Sequence, residues 1–331
     1  MRVARTPPCH YHIRMPASII TVTLNPAIDR VIEVDGFAVG AHQVGRELLR
    51  VPAGKGINVS RVLAAMDVPS TATGFLGVDN LTVYQPLFGG LITDAFVRLP
   101  GRTRENITIT DRRTRMDTHI RDVGLSVDAA AMERLTDTLR RLTTPESLFI
   151  FSGSLPPGVT PGAFAELVTG CLNNGARVAV DTSGTALTAV AGLPLWLANP
   201  NTEELPQLVG RDVCDDQGEV AAASGLSARV ANVLLTCGRQ GAYLFAGDVA
   251  MHAVAPLEAT EIVSTVGCGD VILAAYVAGV HKGMPAREAF SEAVARAAAC
   301  AMTFDPAGTD PAAVKTCRQR LRVSEVIGGE S

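Results

Sequence analysis

From Ser18 the chain alternates short, unbroken apolar runs with longer segments in which apolar residues recur every three or four positions. IITVTL (19–24), SLFIFSG (147–153), ARVAVDTSG (176–184), LWLANPN (195–201) and NVLLTCG (232–238) are the runs. Their length and near-continuous apolar character predict strands buried on both faces, as in parallel sheets. Each run closes on Gly, Ser, Asp or Asn. Between them, 58–66, 128–142, 161–173 and 220–231 carry helical spacing. Alternation of strand and helix predicts an α/β fold whose parallel sheet is covered on both faces. In such sheets ligands lie beyond the carboxyl ends of the strands, where those polar residues gather.

Two segments break the pattern. RVIEVDGF (30–37) with RELLRVPAG (46–54), and RENITITD (104–111) with RMDTHIRD (115–122), mix polar and apolar residues in hairpin fashion. They predict a small antiparallel sheet set into the main domain, suited to a lid or a dimer surface. Residues 18–323 form the predicted domain, with lid strands drawn from about 30–52 and 104–122. Residues 1–17 read as a disordered extension, or as sequence upstream of a start at Met15, and 324–331 as a frayed tail.

Composition narrows the class. A net charge of −4 over 331 residues gives no electrostatic footprint for nucleic acid or an anionic membrane. The longest fully apolar stretch, 271–280, is too short to span a bilayer and reads as a core helix. Seven widely spaced cysteines, none in a C-x-x-C pair, suggest neither a disulfide framework nor a zinc site, and fit a reducing cytoplasm.

Three stretches could carry chemistry. In STVGCGD (264–270) two glycines bracket Cys268, and Asp270 follows at the mouth of the apolar run. The simple reading is a helix N-terminus that favours an anion. The functional reading is a carboxylate set among open backbone amides, able to take a proton from an alcohol beside a phosphoryl group. PAGKGINVSRVL (52–63) is not a P-loop. It reads as a Gly-rich turn capped by Asn58, or as a grip on a hydroxylated anion by Lys55 and Asn58. In ANPNTEEL (198–205), Asn201 and Glu204 either form a capping box or face the water shell of Mg²⁺.

Taken together, TLNPAID, AGKGINVSRVL, GRTRENI, SGSLPPGV, DTSG, NPNTEEL, LLTCGRQGAYLF and STVGCGD resemble the PfkB sugar-kinase family, in order and over nearly the whole chain from Ser18. The resemblance implies a ribokinase-like three-layer α/β/α fold with a small β-sheet lid. It implies ATP-dependent phosphoryl transfer to a ketohexose phosphate, fructose 1-phosphate first, with Mg²⁺. Asp270 would be the base, and Gly267, Cys268 and Gly269 would complete its anion hole. Asp29, Gly54, Lys55, Gly56 and Asn58 would hold the sugar and Arg104 its phosphate. Asn201 and Glu204 would serve Mg²⁺ and the ATP phosphates, with Thr236, Gly238 and Gly241 lining the nucleotide pocket. A homodimer through the lid strands is a further implication.

The chain departs from the family pattern at Cys268, Val271, Asn199, Asp67 and 41–43. These departures leave tagatose-6-phosphate or 6-phosphofructo-kinase activity, or a catalytically weak sugar-phosphate-binding regulator, as alternatives.

Overall fold

A computed structural model describes residues 18–326; the expected extension at 1–17 and residues 327–331 lie outside the described residues. The chain enters through β1 (Ser18–Thr23). A first hairpin, β2 (Ala27–Val34) and β3 (Arg46–Ala53), leaves the core, and α1 (Lys55–Ala65) returns to it. β4 (Ser70–Gly77), β5 (Ile92–Asp94) and β6 (Val97–Leu99) follow. A second hairpin, β7 (Arg104–Asp111) and β8 (Asp117–Arg121), leaves it again. The middle of the chain then runs α2 (Ala129–Leu142), β9 (Ser147–Ser152), α3 (Pro161–Asn173), β10 (Arg177–Asp181) and α4 (Gly184–Val190). Next come β11 (Leu197–Ala198), α5 (Leu205–Val209), α6 (Asp216–Leu226) and β12 (Asn232–Thr236). β13 (Ala242–Ala246), β14 (Val249–Val254), α7 (Cys268–His281), α8 (Ala286–Cys300), α9 (Pro311–Arg320) and β15 (Arg322–Glu325) complete it.

The central sheet has the order β15-β14-β13-β12-β11-β10-β9-β1-β4-β5, with β6 beside β4. It is parallel from β5 to β12 and antiparallel from β12 to β15. Because side chains alternate along a strand, each apolar run feeds two cores. Phe149 and Phe151 of β9 pack with Leu135 of α2 and Phe164 of α3. Leu148 and Ile150 face the opposite way, with Leu63 of α1, Ile272 of α7 and Phe290 of α8. Three layers result, and α7 is buried all round from Asp270 to Val280. The chain turns from β1 to β4 on one side, while β9 lies on the other side of β1, so the switch of direction falls at their carboxyl ends.

The two hairpins form a separate sheet of order β3-β2-β7-β8, in which β2 and β7 pair in parallel. Asp111 knits them together. Its carboxylate accepts from the amides of Arg113, Gly36 and Phe37 and the hydroxyl of Thr114, and these bonds hold its pKa down at about 2.

Some boundaries differ from the sequence reading. α1 begins at Lys55, not near Asn58, because Gly54 takes φ 111° as its N-cap and accepts the Asn58 amide at 2.9 Å. α6 starts earlier than 220, where the Asp215 carboxylate caps the Gly218 amide at 2.6 Å. The segment read as a frayed tail contributes Ser324 and Glu325 to β15, which covers the free edge of β14. The Val326 amide adds a bond to the Ala250 carbonyl. Short polar edge strands carry little periodicity, which is why this one was not legible.

Candidate active site

The carboxyl ends of β1, β9, β10 and β11 bring Asn25, Gly153, Asp181 and Asn199 to one rim, with α1 and α7 ending there N-terminus first. Asp270 is 3% exposed at the start of α7. Among the described residues the amides of Gly269 and Asp270 donate to nothing, and that of Cys268 reaches the Thr265 carbonyl only at 3.4 Å. Asn199 Nδ2 donates to the Gly269 carbonyl at 3.1 Å and so fixes the turn from behind. The result is a set of orphan donors beside a buried carboxylate.

Asn58, one turn into α1, donates through Nδ2 to Asp270 Oδ2 at 2.8 Å. It is therefore not the helix cap that one reading of the sequence made it. Lys55, at the first position of α1, donates to Asp181 Oδ1 at 2.8 Å. Burial alone would pull the lysine pKa down, but Asp181 and Asp270 together hold it above its ordinary value. Gly54 and Gly56 let this helix end press against β1. A Cβ on Gly56 would lie 2.4 Å from Thr23 Oγ1.

Asp181 was missed by the sequence reading, apart from its place in a strand-closing DTSG. It is 3% exposed, and its Oδ2 has no partner among the described residues. Burial first, and then the Asp181 charge, push the Asp270 pKa up to about 7, against the pull of Lys55 and Asn58. Catalysis by the Asp270 carboxylate would therefore lose kcat/KM about tenfold per pH unit below about 7 and reach a plateau above it. Asp181→Asn removes one raising charge, so a kcat/KM–pH profile of this variant is expected to show the acid limb at lower pH. An unmoved limb would mean that Asp270 does not set it.

The lid carries Asp29 on β2, partly buried and held by Asn106 Nδ2 at 2.9 Å. Burial raises its pKa, opposed by Asn106 and by the Arg104 charge. Arg104, expected to grip the sugar phosphate, is anchored to the backbone in this structure. Its Nε, Nη1 and Nη2 donate to the carbonyls of Pro26, Asp122 and Asn25 at 3.3, 3.0 and 3.0 Å. It clamps the lid to the end of β1, with two N–H groups of its five left over. Asn25, also unforeseen, ties the same strap to the β9 loop through Val123, Ser154 and Leu155.

Asn201 and Glu204 form the reciprocal capping box. The Asn201 amide donates to Glu204 Oε2 at 3.0 Å, and the Glu204 amide donates to Asn201 Oδ1 at 2.8 Å. Burial raises the Glu204 pKa, opposed by that amide and by Lys55. A parallel bridge sets Thr236 beside Asn201. Gly238 opens a short helical turn after it, and Gly241 leads into β13. Lys55 lies within electrostatic reach of Asp181, Asp270 and Glu204 together.

A profile of the pfkB family carbohydrate kinases matches residues 22–311. The chain belongs to the pfkB family. The chain is 33% identical over 314 residues to the 1-phosphofructokinase of Vibrio cholerae, covering 94% of this chain and 98% of that one. Against the 1-phosphofructokinase of Haemophilus influenzae it is 31% identical over 316 residues, covering 94% and 100%. A solved structure of a candidate phosphofructokinase from Staphylococcus aureus superposes with a TM-score of 0.78 at 30% identity, covering 94% of this chain and all of that one. As a pfkB family member the protein is an ATP-dependent sugar kinase with a ribokinase-like core and a separate small sheet.

Among the described residues no helix is long and apolar enough to cross a membrane, and no group of three or more His, Cys, Asp or Glu side chains could hold a metal ion.

Proposed function

We propose that the protein transfers the γ-phosphoryl group of ATP to the free primary hydroxyl of fructose 1-phosphate, giving fructose 1,6-bisphosphate. The observation that carries this reading is Asp270, buried beside unpaired amides at the start of α7 and within electrostatic reach of Asp29 on the lid. The names of the relatives from Vibrio cholerae and Haemophilus influenzae support the choice of substrate.

In this reading Asp29, Asn58 and the α1 start with Gly54, Lys55 and Gly56 hold the sugar. Asp270 accepts the proton of the hydroxyl as its oxygen attacks. The amides from Gly267 to Asp270 take up charge on the transferred group, the main protein contribution to such reactions. Lys55, held on Asp181 at 2.8 Å and within electrostatic reach of Asp270 and Glu204, supplies positive charge beside the phosphoryl oxygens. ATP lies along the rim formed by Asn201, Glu204, Thr236, Gly238 and Gly241. The orphaned Asp181 Oδ2 and the Glu204 carboxylate fit a Mg²⁺ ion held mainly through water and nucleotide phosphates. That ion would supply charge neutralisation on the β- and γ-oxygens.

Outside the site, Val39, Val44, Met116 and Ile120 leave apolar surface on the lid exposed, which suits a second copy of the chain.

ADP release with ATP·Mg²⁺ across fructose 1-phosphate, fructose 6-phosphate, tagatose 6-phosphate and fructose tests the substrate. Fructose 1-phosphate should give the highest kcat/KM; preference for a 6-phosphate would move the assignment to a neighbouring sugar phosphate. Arg104→Ala is expected to raise KM for the sugar phosphate at least about tenfold, since a uniformly bound phosphate affects KM rather than kcat. The melting temperature should fall as well, because three carbonyl contacts of the lid strap go with it. A change confined to KM for ATP would place Arg104 elsewhere.

A further inference from the structure

We propose that the groove between α1, α7, α8 and α9, behind the reactive rim, is a second ligand site, built for a phosphomonoester with a compact apolar body. A cavity of about 390 Å³ opens there, within the range of small-molecule sites. Its floor is apolar: Val62 of α1, Val271 of α7, Pro306 of the loop between α8 and α9, and Val314 of α9, all buried. Its rim is cationic, with Arg296 of α8 and Lys315 and Arg318 of α9. None of these side chains serves the reaction centre described above.

The rim holds more positive charge than the protein itself neutralises. Glu292 is the carboxylate that serves both arginines. Its Oε1 accepts Arg296 Nε at 2.7 Å, and its Oε2 accepts Arg318 Nε and Nη2 at 3.0 and 2.6 Å. Lys315 is exposed and has no hydrogen bond or ion pair among the described residues. Two carboxylates of the bordering loop are committed elsewhere. Asp305 accepts Arg61 of α1 at 2.8 Å, and Asp310 caps α9 by accepting the Ala312 amide at 2.9 Å. Three cations against one carboxylate leave two positive charges in excess. A phosphomonoester carries about two negative charges at neutral pH. Lys315 and the remaining N–H groups of Arg318 would hold the phosphate at the rim, and the apolar floor would take the organic part.

The floor of this cavity is the back of the reactive rim. Val62 lies one turn beyond Asn58 on α1, and Val271 follows Asp270 on α7. Pro306 stands against Gly267, where a Cβ would lie 2.3 Å from Pro306 Cγ. A ligand seated on these three side chains bears on both helix starts at once. Close-packed interiors transmit such contacts, so occupation should register in turnover rather than in the binding of either substrate.

Calorimetric titration of wild type, Lys315→Ala and Lys315→Arg with phenyl phosphate, and with inorganic phosphate for comparison, tests the site. Phenyl phosphate should bind wild type at least about tenfold more tightly than inorganic phosphate, the worth of burying a small ring. Lys315→Ala should weaken phenyl phosphate about 10- to 100-fold, the range for losing charge-assisted hydrogen bonds. Lys315→Arg should keep most of the affinity. Because Lys315 has no partner to lose, melting temperature and basal kcat of both variants should match wild type. Kinetics at saturating ATP·Mg²⁺ and fructose 1-phosphate read the coupling. Phenyl phosphate should change wild-type kcat at least about twofold and leave that of Lys315→Ala unchanged. Equal binding to wild type and Lys315→Ala, or an effect confined to KM in both proteins, would place the ligand in the reaction centre and overturn the proposal. Absence of binding would overturn it as well, and binding through Lys315 without any effect on kcat would overturn the coupling. Binding that depends on Lys315 in a protein that turns over no sugar phosphate would uphold the site and remove the kinase reading alone.

Discussion

Replacing Asp270 with alanine or asparagine is expected to lower kcat by about 10²- to 10⁴-fold, the usual contribution of a positioned base. That corresponds to about 3–5 kcal/mol of barrier. The asparagine variant is the sharper test, because it keeps the shape of a side chain that Asn58 holds at 2.8 Å. Its stability separates chemistry from folding. Burial raises the folded-state pKa of Asp270 to about 7. Folding therefore favours the acid form, a contribution complete below about pH 4 and lost as the pH rises through about 7. At about pH 8 the wild type carries a buried charge that Asp270→Asn lacks, so the variant should melt at or above the wild-type temperature there. The difference should shrink as the pH falls. A variant that melts normally and turns over at near the wild-type rate would remove Asp270 from the reaction.

Gly267→Ala should be nearly as damaging, by a different route. Gly267 caps α7 with φ 82°, where an L side chain is strained. A Cβ there would lie 2.3 Å from Pro306 Cγ and 2.9 Å from Pro306 Cβ. The proline ring cannot swing aside, and the neighbouring Asp305 is pinned by Arg61 at 2.8 Å. Strain and overpacking together should cost about 2–5 kcal/mol and lower the melting temperature by several degrees. Relief requires the α7 start to move, and with it the amides proposed to face the transferred group. Misplacing such donors costs about 10²- to 10³-fold in kcat, so the variant should lose at least about 10²-fold. Melting curves and kcat measured on the same preparation check both parts. Lowered stability with full kcat would show that the amides at this turn do not serve catalysis.

What could be read from the sequence followed from locality. The GCGD turn and its apolar run announced α7 because glycines, carboxylate and buried helix are contiguous. The parallel half of the sheet was legible because its strands are apolar at every position, as Phe149 to Phe151 show by feeding two cores. The hairpins were visible through their mixed polarity. Asp181 was not, because its meaning lies in Lys55, 126 positions away. The role of Asn58 was open between cap and ligand until α1 was seen to start a turn earlier. Arg104 sits where its motif places it, but the carbonyls that occupy it come from Asn25, Pro26 and Asp122, and no local pattern encodes that. Residues whose partners are distant in sequence are the ones that the structure adds.

The central claim is that phosphate passes from ATP to a sugar hydroxyl with Asp270 as base. Phosphorus NMR of wild type with ATP·Mg²⁺ and fructose 1-phosphate follows that transfer directly. The account predicts loss of the ATP γ-signal matched by equal gain of ADP and of a second sugar phosphomonoester signal, with neither change in Asp270→Asn on the same timescale. Release of inorganic phosphate without a new sugar signal, or equal transfer by both proteins, would contradict it.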